Sequence, residues 1–373
     1  MPRGARTGAV GRSVSEVIKG TLSVQWRRVV MAILNALIAA LAFGLSAPLA
    51  KRLLDVVPPL FLAGILYLGA GIFLGLARRL WRNRPATGRP LTARDRWVLV
   101  GVVLAGGVLA PPLLLWGLQR SSATTTSLLL NLEVVFTVLL AGIVFNEHLG
   151  ARIAVSAIVM AAGGVVLGWT PGDPSIAIGA AAVAGACLLW ALDNNLTRLI
   201  AEADPLLIVE IKGLVAGTVN VALALAGGQA PPSPGTIAYG LALGAVSYGT
   251  SLVLFILAMR ELGAARTGAY FATAPFFGAA GGLVLLGEPP TVSLLAAAAL
   301  MALATSLLVH ERHLHRHRHP AGTHIHVHVH DEHHRHPHEG WEGPEPHSHL
   351  HATGPIEHEH PHTPDIHHDH GHD

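Results

Sequence analysis

Apolar residues fill most of the chain between residues 29 and 309, in long runs that short polar turns separate. Each run is about 20 residues long, which matches the hydrocarbon thickness of a bilayer and is unlike the elements of a soluble domain. The turns are rich in Pro and Gly, which end helices. The pattern predicts ten membrane-spanning helices, at residues 29–50, 59–77, 97–118, 122–145, 150–169, 176–199, 205–226, 235–258, 264–287 and 291–309.

One unit of the pattern occurs twice: an apolar run, a glutamate and a second apolar run. Residues 121–169 hold the first copy and residues 262–310 the second, and both apolar runs fall into register when Glu147 is placed on Glu288. Self-similarity of this kind indicates an internal duplication.

The duplication extends to the start of each half, because the segment 43–51 aligns with the segment 190–198. Each copy then holds five spans, at residues 29–169 and 176–309. Since five is odd, the second copy must cross the membrane in the opposite direction. The sequence therefore predicts an all-α polytopic membrane protein built from two inverted five-helix repeats, the arrangement of many secondary transporters.

These motifs resemble an EamA-type transporter of the drug/metabolite transporter superfamily. The resemblance rests on the two span–Glu–span units, on Pro275 in the ninth span, and on Phe43 and Trp190, each of which is followed by a basic residue at the same distance. It covers residues 29–309 and implies ten helices and transport of a small solute across the plasma membrane. One departure is that Glu133 and Val134 occupy the place in the first copy that corresponds to Pro275.

The basic residues are unevenly distributed along a chain whose net charge is only +2. If the N-terminus is cytoplasmic, most of the 25 Lys and Arg residues fall in cytoplasmic loops and termini, as the positive-inside rule requires. We therefore expect a multi-pass protein of the plasma (bacterial inner) membrane with both termini in the cytoplasm. The basic leader, residues 1–28, is interpreted as a segment near lipid headgroups and not as a nucleic-acid-binding segment.

Ionisable and polar side chains inside the spans are candidates for a substrate pathway, because such groups are costly at bilayer depth unless they face a cavity or each other. Glu133 is the strongest candidate, and a carboxylate there can exchange a proton for substrate. For Asp193 and Glu210, capping or snorkelling near the interface is an equally good interpretation, and Lys212 can snorkel or neutralise a carboxylate. The complete predicted pathway is Asn35, Asn131, Glu133, Trp190, Asp193, Asn194, Glu210, Lys212, Tyr248 and Tyr270. Hinge or capping roles are predicted for Glu147, Pro275 and Glu288.

The last segment, residues 310–373, holds all but one of the 24 histidines, the exception being His148. It has too few apolar residues for a core, so we expect a disordered tail. In an extended chain the His-x-His spacing places imidazoles on one face, where they can bind Ni²⁺, Co²⁺, Zn²⁺ or Cu²⁺. The predicted ligands are His313, His315, His317, His319, His324, His326, His328, His330, His333 and His334. A pH-sensing tail and a tail without a role stay open as alternatives.

Together these features predict a secondary transporter, an exporter of a small solute or metal ion by alternating access, with tail-bound metal as cargo or regulator. The alternative from another class is a membrane-anchored metal buffer or sensor. Motifs of enzymes such as GxSxG or a phosphate-binding loop do not occur in the sequence. We expect no required cofactor and no nucleic-acid partner beside the lipid bilayer, and homodimer formation is left open.

Overall fold

The computed structural model of the protein describes residues 14–80, 89–145, 151–168, 174–309, 313–319, 322–328, 347–353 and 356–362. The chain divides into two compact units, Met1–Val309 and His310–Asp373.

The first unit is helical in the parts that the structure describes, apart from short connections. Its helices are α1 (Val14–Gly44), α2 (Ser46–Leu53), α3 (Pro59–Leu80), α4 (Ala93–Val103), α5 (Ala110–Arg120), α6 (Ala123–Leu129), α7 (Leu132–Phe145), α8 (Ala151–Gly168), α9 (Pro174–Arg198), α10 (Pro205–Ala226), α11 (Pro234–Gly244), α12 (Ser251–Leu262), α13 (Ala264–Phe271), α14 (Ala274–Leu285) and α15 (Val292–Val309). Two π-helical segments, Leu104–Leu109 and Ala245–Thr250, join α4 to α5 and α11 to α12.

These helices combine into the predicted spans. Among the described residues nine helical stretches are long and apolar enough to cross a membrane, and Val292–Leu307 forms a tenth, shorter apolar helix. The fourth span is divided into α6 and α7, and the ninth into α13 and α14. The predicted all-α architecture of membrane-spanning helices is therefore confirmed.

Helix packing relates the two copies to each other. The second spans of the two copies, α3 and α10, pack against each other, and so do the fifth spans, α8 and α15. The third span of the first copy packs through α5 on α9, the first span of the second copy, and α1 packs reciprocally on α12. This exchange of partners is the pattern that a two-fold relation between the copies produces.

The irregular parts of the spans repeat as well. The offset that places Glu147 on Glu288 also places Leu104–Leu109 on Ala245–Thr250, so that the two π-helical segments coincide. The same offset places the break in the fourth span within one residue of the break in the ninth. These deviations from α-helix are thus features of the repeated unit.

Two prolines make side-chain donors necessary at the first π-helical segment. In a π-helix each carbonyl accepts from the residue five positions later, and Pro111 and Pro112 have no N–H to offer Gly106 and Gly107. The donors come from three other spans: the Tyr67 hydroxyl and Trp190 Nε1 donate to the Gly106 oxygen at 2.7 and 3.0 Å, and Asn220 Nδ2 donates to the Gly107 oxygen at 3.1 Å. The third span is thereby attached to α3, α9 and α10.

Glycines allow the backbones of α3 and α10 to approach closely. A Cβ atom added at Gly217 would lie 2.7 Å from the Leu68 amide nitrogen and 2.9 Å from the Gly64 carbonyl oxygen, both of which are backbone atoms that cannot rotate away. Small residues at such crossings are a general device of membrane helix packing, because close approach increases van der Waals contact.

The second unit contains four strands, β1 (His313–His319), β2 (Gly322–His328), β3 (His347–Thr353) and β4 (Ile356–His362). They form two antiparallel pairs, β1 with β4 and β2 with β3. The sequence predicts a disordered tail, whereas the backbone of these four segments is paired. Alternation of His with other residues has the two-residue period of a strand, which gives a physical reason for the difference. The predicted ligands His330, His333 and His334 lie outside the described residues.

We expect Gly217→Ala to destabilise the helical unit by about 1–3 kcal/mol, the usual cost of overpacking. The measurement is thermal unfolding of the purified full-length protein in detergent. Gly268→Ala is the matched control, because a Cβ there meets nothing within 4 Å. Ala favours a helix more than Gly, so the control should unfold at or above the wild-type temperature. A Gly217→Ala protein that unfolds no earlier than wild type would contradict the packing argument.

Candidate functional site

A cavity of about 370 Å³ lies inside the helical unit, between the two copies. Side chains from both copies line it, and most of the predicted pathway is among them. The predicted residues in the lining are Asn131, Glu133, Trp190, Asp193, Asn194, Lys212 and Tyr248, together with the predicted hinge residue Pro275.

Three predicted pathway residues are not part of this lining. Glu210 forms an ion pair with Arg78, which also contacts Asp204 Oδ2 at 3.3 Å, so the end of α3 is held to the beginning of α10. This placement agrees with the structural interpretation that the sequence left open for Glu210. Asn35 and Tyr270 are half-buried elsewhere, and Glu147 lies outside the described residues.

Asp193 and Lys212 form a largely buried ion pair in the cavity wall. Lys212 Nζ lies 2.7 Å from Asp193 Oδ2, and the side chains are only 16% and 4% exposed. The Thr197 hydroxyl is 3.2 Å from the other carboxylate oxygen. Gly106 leaves the space for this pair, since a Cβ at that position would lie 2.0 Å from Asp193 Oδ2. Each charge thus has a partner, without which a buried charge is strongly destabilising.

Glu133 occupies the first turn of α7, the second half of the broken fourth span. A helix N-terminus carries partial positive charge, which favours a carboxylate at this position. Asn194 Nδ2 donates to Glu133 Oε1 at 2.9 Å and to the Thr137 hydroxyl at 3.2 Å. Among the ion pairs found in the described part of the chain, none includes Glu133. Glu133 therefore offers the cavity a negative charge that no cationic side chain neutralises directly.

Aromatic rings form a continuous part of the lining, of which the sequence predicted Tyr248 but not Tyr67, Phe255 or Phe271. The ring centroids are 5.8 Å apart for Phe43 and Tyr248, 5.9 Å for Tyr67 and Tyr248, 5.5 Å for Phe43 and Phe271, and 5.1 Å for Phe255 and Phe271. Such distances are typical of favourable aromatic pairs. Phe43 served only as a marker of the repeat, although its alignment with Trp190 was a signal that this position faces the cavity.

Glu288 joins the two copies at the far end of the ninth span. Its carboxylate accepts the backbone N–H groups of Ala123 at 2.7 Å and Thr124 at 2.8 Å, and also the Thr124 hydroxyl. Within the first copy, Lys51 Nζ donates to the carbonyl oxygens of Leu118 at 2.6 Å and Ser121 at 2.8 Å, in the connection between the third and fourth spans. Glu288 therefore caps the beginning of α6, while its predicted hinge role stays a prediction.

The described lining of the cavity offers few groups that bind metal. Within the side chains that the structure describes, no three His, Cys, Asp or Glu residues come together as a metal site. The chemistry that the cavity offers is one unpaired carboxylate, one neutralised ion pair, amide groups and aromatic faces.

Comparison with known proteins agrees with the architecture. The EamA-like transporter family matches twice, at residues 30–169 and 177–310. A protein described as "Uncharacterized transporter" from Methanothermobacter thermautotrophicus is 31% identical over 274 residues, which cover 69% of this chain and 79% of the relative. A solved crystal structure is similar in fold, with a TM-score of 0.56, at 20% identity over 74% of this chain and 95% of that one. Two family matches at the two repeats, in a helical unit with a cavity between the copies, show that the chain belongs to the EamA-like transporter family.

Proposed function

We propose that the protein is a secondary transporter that exports a small solute by alternating access through the central cavity. Membership of the family makes it a membrane transporter with a small-molecule substrate. Alternating access and export are our proposals for its mechanism and direction. The observation that carries it is the placement of Glu133, an unpaired carboxylate in the cavity wall at a break in a membrane-spanning helix. Broken helices that present their ends to a central site are a recurrent feature of secondary transporters.

In an alternating-access mechanism, contacts between the copies must break at the end of the bundle that opens. Glu288 of the second copy joins the copies by accepting the backbone N–H groups of Ala123 and Thr124 at the beginning of α6. Hydrogen bonds of charged groups to the backbone are strong enough to hold one end of the bundle together, yet they can exchange with water when that end opens. We infer that release of these bonds accompanies opening at this end.

The charge distribution supports an orientation with both termini in the cytoplasm of a bacterial inner membrane. In that orientation the connection after the ninth span faces outward, so the Glu288 contacts close the outer end. Export then requires that the opposite, cytoplasmic end can open to the cavity.

The histidine-rich tail is proposed to bind divalent Ni²⁺, Co²⁺, Zn²⁺ or Cu²⁺ and to act as a regulator of transport. Backbone register supports a binding role: His324 lies opposite His351 and His326 opposite His349, so alternate positions of the β2–β3 pair carry histidine on both strands. The same holds for His315 and His360 of the β1–β4 pair. Imidazole ligands without thiolate suit these metals.

The alternative, a membrane-anchored metal buffer or sensor, explains the tail but not the helical unit. An anchor needs neither a buried ion pair nor a carboxylate in a cavity between two copies. Placing charges at bilayer depth is costly, and they are found there mainly in functional pathways. We also propose that the protein is not an enzyme and needs no cofactor.

Glu133→Gln is expected to reduce export by at least about tenfold, since hydrogen bonds to a charged group contribute about 1.5–3 kcal/mol. The measurement is a mass-spectrometric comparison of solutes in the medium of cells that express the wild type, Glu133→Gln or Glu261→Gln. Glu261 is an exposed carboxylate at the end of α12 and outside the cavity, so it is the matched control. Equal membrane abundance of the three proteins has to be established. Export by Glu133→Gln at the wild-type rate would refute the central site.

Ending the chain at Val309 separates the roles of the tail. Cells that express the full chain, the truncated chain or full-length Glu133→Gln are loaded in turn with Ni²⁺, Co²⁺ and Zn²⁺, and their metal content is measured. For a regulatory tail we expect retained metal to follow the presence of the tail and not the state of Glu133. If the full chain lowers cellular metal and Glu133→Gln abolishes that effect, metal is the cargo and the regulatory proposal is wrong.

A further inference from the structure

The charged side chains in the described lining of the cavity do not sum to a net charge of zero. Glu133, Asp193 and Lys212 are the ionisable acidic and basic residues among the described residues that line it. Lys212 and Asp193 neutralise each other at 2.7 Å, while Glu133 receives a hydrogen bond from the neutral amide of Asn194. With all three groups charged, the cavity therefore carries one excess negative charge.

Most hydrogen-bond donors in the lining are already used inside the protein. Tyr67, Trp190 and Asn131 donate to backbone carbonyl oxygens, and Asn194 donates to Glu133 and Thr137. Lys212, the sole cation in the described lining, is directed to Asp193. An anionic group on a ligand would therefore find no free cationic partner and would lie in a cavity of its own sign.

The remaining wall suits a cation with an apolar body. Phe43, Tyr67, Tyr248, Phe255 and Phe271 form a continuous set of rings in the lining. Because the hydroxyl hydrogen of Tyr67 and the indole N–H of Trp190 are donated to Gly106, these side chains offer the cavity mainly their apolar surfaces. Aromatic faces attract ammonium groups through the ring quadrupole and also accommodate hydrocarbon.

We propose that the substrate is a compact organic monocation, an amine with an apolar or aromatic body, whose ammonium group pairs with Glu133. Zwitterionic amino acids of the same shape should bind more weakly, because Lys212, the one cation of the described lining, already neutralises Asp193. This inference rests on the proposed function, because a bound amine is a substrate only if the protein transports it. The preference for binding an amine depends on the cavity alone. Discrimination of this kind arises from a buried group left unpaired by the wrong ligand.

Three probes of one shape test the proposal: 2-phenylethylammonium, phenylalanine, which adds a carboxylate, and 2-phenylethanol, which lacks the charge. Binding is measured by equilibrium dialysis on the purified full-length protein in lipid nanodiscs. We expect the amine to bind at least about tenfold more tightly than either analogue, as one charge-assisted hydrogen bond allows. Glu133→Gln should weaken amine binding by about the same factor and leave binding of the alcohol unchanged, while Glu133→Asp and Glu261→Gln should retain the preference for the amine.

The proposal is overturned if phenylalanine binds as tightly as the amine, if Glu133→Gln leaves amine binding unchanged, or if the amine shows no saturable binding at millimolar concentration. Uptake of the labelled amine into proteoliposomes separates this proposal from the proposed function. Selective binding without movement across the membrane refutes transport and leaves the site intact. Glu133-dependent export of some other solute, without amine selectivity, refutes the amine class and leaves transport intact.

Discussion

Two backbone carbonyls that cannot be satisfied within their own helix determine much of this structure. Gly106 and Gly107 precede Pro111 and Pro112, and hydrocarbon offers no water to replace the missing donors. The π-helical segment presents both oxygens to neighbouring spans, from which Tyr67, Trp190 and Asn220 donate. The same glycines make room for the Asp193–Lys212 pair. The constraint that attaches three spans to the third one thus also positions the cavity wall.

Duplication provides the frame of the site, and divergence between the copies provides its chemistry. Both copies have a π-helical segment in the third span and a break in the fourth. At the start of the second half-helix, however, the first copy places Glu133 and the second places Ala274 followed by Pro275. One break presents a carboxylate, while the other has a proline that suits the first turn of a helix. A symmetric frame therefore encloses an asymmetric distribution of charge.

The sequence was sufficient for the features that hydropathy and repetition determine. The spans follow from hydropathy and the duplication from repetition. The cost of placing charges in hydrocarbon made Glu133, Asp193 and Lys212 candidates for a pathway. Hydropathy and repetition do not predict which charged residues, distant in the sequence, form ion pairs with each other. Asp193 and Lys212 form an ion pair in the cavity wall, whereas Glu210 forms an ion pair with Arg78 outside the lining. The Glu210–Arg78 pair depends on the packing of α3 against α10.

Some aromatic lining residues, Tyr67, Phe255 and Phe271, were missed for a related reason. A Phe or Tyr inside an apolar run has the same hydropathy whether it faces lipid or a cavity, so Tyr67 and Phe255 gave no signal by composition. Their positions become informative only when helix contacts are known. For the tail, the composition predicts metal binding but does not indicate that β1 pairs with β4 and β2 with β3.

Cavity and tail offer different ligand chemistry, and this difference bears on the role of metal. Divalent transition metals prefer several nitrogen or thiolate ligands, whereas the described cavity presents a single unpaired carboxylate beside aromatic faces. The histidines belong to the separate unit that follows Val309. A metal bound by these histidines would change the charge of the tail. We therefore propose a role in binding an organic amine for the cavity and a role in binding metal for the tail.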